Sequence, residues 1–166
     1  MPNMISTLRI IAGLLILLGI QEPVFGCSCA PASADQEKAV LEAFDHASSV
    51  VLAIAESIEN IALSRSQNSQ EREDEITQFA ALQSWKGSHG DTFYTKISLR
   101  CCACGIAFEV GKTYLLYLHG PYDEFYKTGI CSRTRDESRS AEDIRILNSI
   151  AIKKTKNSSA MQAGTH

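Results

Sequence analysis

Thr92-Phe93-Tyr94-Thr95-Lys96-Ile97-Ser98-Leu99 has a period of two. Phe93, Thr95, Ile97 and Leu99 share one face, and Tyr94, Lys96 and Ser98 share the other. Successive side chains of a strand point to opposite faces, so the stretch predicts a strand with one wet side. Its neighbours extend the pattern. Ser49 to Ile58 is apolar nearly throughout, as expected of a central or barrel strand buried on both faces. Ile76 to Lys86 is a further strand, ending at Trp85-Lys86-Gly87, with a turn over Ser88–Asp91. Gly111 marks a turn before Thr113–Leu118, which contains Tyr114-Leu115-Leu116-Tyr117, and Gly120-Pro121 is expected to break that strand. A weaker strand is expected over Tyr126–Cys131.

The connections and ends complete the outline. Asn60 to Glu75 has little to bury and reads as an exposed loop, with Glu73-Asp74-Glu75 as a solvated charge run. Ser33 to Ala47 predicts a helix capped by Asp35, with Val40, Leu41 and Phe44 on one face. Ser138 to Ile152 predicts a second, with Ala141, Ile144, Ile146, Leu147 and Ile150 as its apolar stripe. Residues 153–166 are polar and small and read as a disordered tail. Short strands with a helix near each end indicate an α+β or mostly β domain. About five strands suit a partly open OB-fold-like barrel with flanking helices, although a sandwich has the same pattern.

Composition narrows the function classes. With 45% hydrophobic and 21% charged residues, the 166-residue chain is neither wholly disordered, collagen-like nor polytopic. A net charge of −3 argues against a general nucleic-acid binder. No GxSxG, GxGxxG or Walker loop occurs, and none of His46, His89, His119 and His166 lies in an HExxH pattern. The chain therefore reads as a non-enzyme without a cofactor.

Arg9, the apolar run Ile10–Ile20 and the step Val24-Phe25-Gly26 match a secretory signal peptide over residues 1–26. The apolar run spans roughly 17 Å as a helix, too short for a hydrocarbon core of ~30 Å. Cleavage after Gly26 would make Cys27 the first mature residue and leave a domain over 27–152. Gly26-Cys27 also resembles a lipoprotein cleavage site, and only lipidation of Cys27 would bring the chain to a membrane. Export to the extracellular space or periplasm lets thiols pair. Cys27, Cys29, Cys101, Cys102, Cys104 and Cys131 allow many pairings, of which long-range links from the amino terminus are favoured over strained short rings.

Cys27-Ser28-Cys29-Ala30-Pro31 carries the most distinctive chemistry. A free α-amine at Cys27 would titrate at about 7.7–8.0, so a neutral fraction exists at neutral pH. That nitrogen and the carbonyl oxygen of the same residue can form a five-membered chelate on a metal. The plainer role of these cysteines is to staple the amino terminus to the barrel. Cys101 and Cys104 have a Cys-X-X-Cys spacing but follow a strand, outside the context of a redox centre. Thiolates of this cluster could bind zinc or copper, in competition with oxidation.

Several pieces occur in one order: the leader ending at Cys-X-Cys-Ala-Pro, the 49–58 strand, and Trp85-Lys86-Gly87. Then come Cys104-Gly105, Phe108, Gly111, Tyr114-Leu115-Leu116-Tyr117 and Cys131-Ser132-Arg133-Thr134. Over residues 27–150 the chain resembles the tissue inhibitors of metalloproteinases, specifically short bacterial members with a netrin-like domain. The resemblance implies a five-stranded OB-type barrel and disulfides Cys27–Cys104 and Cys29–Cys131. It implies that the Cys27 amine and carbonyl would chelate the catalytic zinc of a target metalloendopeptidase. Ser28 would enter the pocket beside the scissile position, and Cys29, Ala30 and Pro31 would fill the cleft. The chain lacks the second domain and the third bridge of animal members, and Cys101 and Cys102 are additional. An exported, non-inhibitory netrin-like module that binds protein or glycan is the alternative.

Overall fold

A computed structural model describes residues 28–63, 72–98 and 105–163. The expected leader, Cys27, Leu99, Cys101, Cys102 and Cys104 lie outside the described residues. Helix α1 spans Gln36–His46, and Asp35 caps it by accepting from the Lys38 amide at 3.1 Å. Its buried side centres on Ala39 and Val40, with Ala43 and Phe44 half-buried. Leu41, expected on that face, is 37% exposed, because one residue turns the helix by about 100°.

The strands are β1 Ser49–Leu63, β2 Arg72–Lys86, β3 Thr92–Ser98, β4 Thr113–Tyr122, β5 Phe125–Lys127 and β6 Arg135–Asp136. Short 3-10 turns occupy Ile130–Ser132 and Glu137–Arg139, and α2 runs over Ala141–Ala163. The protein is a mixed α+β structure with a six-stranded sheet. Five strands close a ring in the order β1-β2-β3-β5-β4, with β4 pairing back onto β1, while β6 adds to β4 outside the ring. Closure is uneven. β1 and β2 pair along nearly their whole length, whereas β3 and β5 meet in parallel only at Tyr94–Phe125 and Thr95–Tyr126.

Several sequence expectations need correction. The described ends of the expected 60–75 loop are strand: β1 runs on to Leu63 and β2 begins at Arg72, pairing Asn60 with Glu75 and Ile61 with Asp74, while residues 64–71 lie outside the described residues. The pairing is made by backbone groups that every residue carries, so it needs no apolar content. Asp74 and Glu75 of the acidic run are not freely solvated either, because β3 lies alongside them, pairing Ser98 with Asp74 and Ile97 with Glu75. Asp74 is buried against Lys96 at 3.1 Å. Glu75 has a buried oxygen without a hydrogen bond, and desolvation raises its pKa above the ordinary 4.5. Thirdly, Gly120-Pro121 does not break β4. The cis Gly120-Pro121 bond sits where the β4–β5 register shifts between His119 and Tyr122, so proline's missing donor falls at an irregularity in the ladder. At the far end, α2 runs well past the expected Ile152, into the segment read as a tail.

Alternation divides the buried side chains into two cores. Val51, Ala53 and Ala55 of β1 and Tyr114, Leu116 and Leu118 of β4 face the ring interior, with Phe79, Phe93 and Phe108. Val50 of β1 and Leu115 and Tyr117 of β4 face outward onto Val40 of α1 and Ile146 and Leu147 of α2. Two buried faces explain why Ser49–Ile58 reads as an apolar run. Phe79 lies at the centre of the interior, 5.5 Å from Phe93 in a stack and 5.0 Å from Phe108 edge to face. At the end of β2, Gly87 has φ +90°, and a Cβ there would lie 2.7 Å from the Ser48 carbonyl. The glycine lets this corner close on β1, where the Ser49 hydroxyl donates to the Lys86 carbonyl at 2.9 Å.

Phe79→Ala is expected to lower unfolding free energy by about 3–5 kcal/mol in urea titrations, through the cavity left among the rings. Leu82→Ala, at an exposed position of the same strand, should stay within about 0.5 kcal/mol. Glu75 gives a pH signature. Its folded pKa is raised, so stability is greatest below the unfolded value of 4.5 and falls as pH rises through the folded value. Glu75→Gln should therefore gain stability relative to the parent as pH increases across that window, read as diverging urea midpoints.

Candidate functional site

The distinctive Cys-X-Cys segment begins the described chain as Ser28, Cys29, Ala30 and Pro31, all exposed and outside helix or strand. Cys29 is bonded to Cys131, with Cα atoms 5.3 Å apart and 102 residues of sequence separation. One of the two expected bridges is therefore present. The other, Cys27–Cys104, lies outside the described residues, as does the Cys27 amine. A disulfide of this kind forms and persists in oxidising surroundings such as the periplasm or the extracellular space. Among the described residues no helix is long and apolar enough to cross a membrane.

Cys131 sits in the Ile130–Ser132 turn, and two sets of polar contacts fix that turn. The first is a cluster of hydroxyls. Thr128 Oγ1 lies 2.8 Å from Ser132 Oγ and 2.6 Å from Thr134 Oγ1. Thr134 accepts from the Tyr117 amide at 2.8 Å, while Thr128 donates to the Tyr117 carbonyl at 3.0 Å. Ser132 donates to the Gly129 carbonyl at 2.7 Å. Both polar groups of one β4 residue are thus used to hold the turn. Tyr117's own ring is buried, and desolvation pushes its phenol above the ordinary range, so it stays neutral.

The second set centres on Asp143, in the first turn of α2 and 1% exposed. Arg133 donates to it through Nε at 2.6 Å and Nη2 at 3.0 Å. Gln36, the first residue of α1, adds a bond of 2.8 Å, and Arg135 Nη2 approaches to 3.6 Å. The hydrogen bonds to Asp143 raise the Arg133 pKa and keep the guanidinium charged. Arg133 has φ +69° and follows the turn directly, so the ion pair fixes the backbone two residues after Cys131.

A groove of about 350 Å³ lies between the strip, α1 and this turn. Ala30 and Ala32 of the strip and Ala39 and Ala43 of α1 line it, with His46 and His119 at its edge. Four small side chains leave the space open. No group of three or more His, Cys, Asp or Glu side chains is placed to hold a metal among the described residues.

Sequence reading found the strip and its partner Cys131 but gave no role to Asp143. One signal was present: Asp143 lies four residues before Leu147 and seven before Ile150, on the apolar stripe of α2. A carboxylate on a buried stripe requires a partner. Nothing in the spacing identified Arg133 as that partner or Gln36 as the third member.

No protein-family model matches the chain, and no curated protein matches it.

Asp143→Ala would leave the largely covered Arg133 without its counter-charge and Gln36 without its acceptor, and should cost about 3 kcal/mol of unfolding free energy. Glu142→Ala, which removes the exposed neighbouring pair to Arg145, should leave it essentially unchanged. Equal losses in the two variants would show that Asp143 is not a structural centre.

Proposed function

We propose that the protein is an exported metalloendopeptidase inhibitor that presents residues 27–31 to the active-site cleft of a zinc protease. The observation that carries the reading is the anchoring of the strip. Ser28 to Pro31 are exposed, yet Cys29 is bonded to a turn that is itself tied to β4 and, through Asp143, to both helices. A segment fixed before docking loses less conformational entropy on binding than a free one. The strand order β1-β2-β3-β5-β4, closed onto β1, with β3 and β5 parallel, supports assignment to an OB-type barrel of the netrin-like kind.

In this mechanism the zinc belongs to the target. The Cys27 amine, in its neutral form, and the Cys27 carbonyl oxygen are the groups of this chain that would hold that zinc, as a five-membered chelate that would keep water from it. Ser28 points into the adjoining specificity pocket. Ala30 and Pro31 continue along the cleft, and proline's fixed φ keeps that segment stiff. Binding then has a sign with pH: protonation of the amine removes its lone pair, so affinity falls as pH drops below the amine's ordinary 7.7–8.0.

A second reading, a non-inhibitory exported binding module, is favoured by a separate groove of aromatic and charged side chains from β2, β3 and the β4–β5 hairpin. The two readings differ in their dependence on the first residue. One alanine added before Cys27 moves the amine away from the chelating carbonyl. Inhibition in a panel of zinc metalloendopeptidases should be abolished while the thermal unfolding transition is unchanged. Equal inhibition by the extended and parent proteins would overturn the chelation mechanism.

A further inference from the structure

The wet side of β3 is not featureless. Tyr94, Lys96 and Ser98 alternate with its buried residues, and the β4–β5 hairpin folds beside them. Asp123 and Glu124 both have positive φ, 48° and 71°, and this tight reversal pairs Tyr122 with Phe125. Between the hairpin and β3 lies a groove of about 280 Å³, near the lower end of small-molecule sites. Asp74, Lys96, Ser98, Tyr122, Asp123 and Lys127 are among its lining residues.

Four properties of this groove bear on its ligand. Aromatic surface is left open at and beside it: Tyr122 is 55% exposed, and Tyr94 41% exposed, with its ring 6.5 Å from that of Phe125. The cations are held rather than free. Lys96 is 3.1 Å from Asp74 and 5.5 Å from the Phe125 ring centre, and Lys127 is 5.0 Å from that of Tyr122. The lining charges cancel, Asp74 and Asp123 against Lys96 and Lys127, so there is no net field to draw in an anion. Finally, of five buried side-chain polar atoms without a hydrogen-bond partner among the described residues, the Ser98 hydroxyl is the one whose residue lines this groove.

We propose that this groove binds an uncharged saccharide unit. A sugar ring presents an apolar C–H face and an equatorial belt of hydroxyls, each both donor and acceptor. The C–H face stacks on Tyr122, with Tyr94 extending the platform. Adjacent hydroxyls bridge the ammonium of Lys96 and the carboxylate of Asp74, which offer one donor and one acceptor side by side. Ser98 gains the partner it lacks. An anion would meet Asp74 and Asp123, and a wholly apolar ligand would strip water from four charges without replacing it. The cation–π contacts and the ion pair already order the polar side chains, which limits the entropy lost on binding.

This assignment gives a ligand class to the binding-module reading and is independent of the zinc-directed strip. The alanine-extended chain should bind sugar unchanged, so either proposal can fail without the other. Titration calorimetry of the disulfide-intact full chain would use cellotetraose, chitotetraose and mannotetraose, with tetragalacturonate as the charged comparison. At least one neutral tetrasaccharide should bind, with an affinity insensitive to about 0.5 M salt. Tyr122→Ala should weaken that binding by up to about tenfold, and Ser98→Ala should weaken it several-fold. Amide spectra would verify that both variants keep the parent fold. Failure of every neutral sugar at about 10 mM would overturn the proposal. So would undiminished binding by folded Tyr122→Ala, or salt-sensitive binding of tetragalacturonate alone.

Discussion

The buried carboxylate of Asp143 is the point at which separate parts of the protein are held to one another. It accepts from Arg133 twice and from Gln36 once, so it joins α2 to the turn after β5 and to the start of α1. Removing such a charge from water costs several kcal/mol, which is offset only when geometry and extra hydrogen bonds are both good. Here both conditions hold. The two-point contact uses the fork of the guanidinium, the glutamine takes a further lone-pair site, and the first helical turn of α2 favours negative charge. The net stability from such a pair can be small. Its larger effect is on position, because Cys131 and Arg133 are separated by a single residue.

The ring provides what this junction is fastened to. β1 is hydrogen-bonded on both edges, to β2 and to β4, and contributes to both cores. β4 does the same with opposite parity: Leu116 and Leu118 point in while Leu115 and Tyr117 point to the helices. Tyr117 thus belongs to the helix-facing core through its ring and to the Cys131 turn through its backbone. A change that loosened the helix layer would therefore reach the turn along β4 as well as through Asp143.

How much of this was legible in the sequence depended on whether a segment's neighbours lay in water or in protein. β3 was readable to within one residue because it has one wet face, and period two survives wherever one side is wet. β1 was readable as a nearly continuous apolar run, and β4 as a strand from Tyr114-Leu115-Leu116-Tyr117, because both faces of each are buried. The polar ends of β1 and β2 were not, since their pairing is made by backbone groups that every residue carries. The same blindness hid Asp74 and Glu75, whose surroundings are set by β3, some twenty residues later. Cys29 and Cys131 could be paired by resemblance, but Asp143, Arg133 and Gln36 come from three elements and share no spacing rule. Only the misfit of an acid on an apolar stripe hinted at them.

The disulfide itself is better explained by placement than by stability. In the chain-entropy model a loop of roughly 100 residues gives about 4.7 kcal/mol. Halving the loop would reduce that by only about 0.6 kcal/mol. Many other positions on the ring would therefore serve stability nearly as well as Cys131. What sets Cys131 apart is its seat: a short turn whose following residue pair is locked by Thr134 to β4 and by Arg133 to α2. A bridge made there transfers the rigidity of two layers to Cys29, and leaves Ser28, Ala30 and Pro31 exposed on either side of it. A cross-link that served only to shorten the unfolded chain would have no need of so well-fixed an anchor, nor of an exposed strip at its other end.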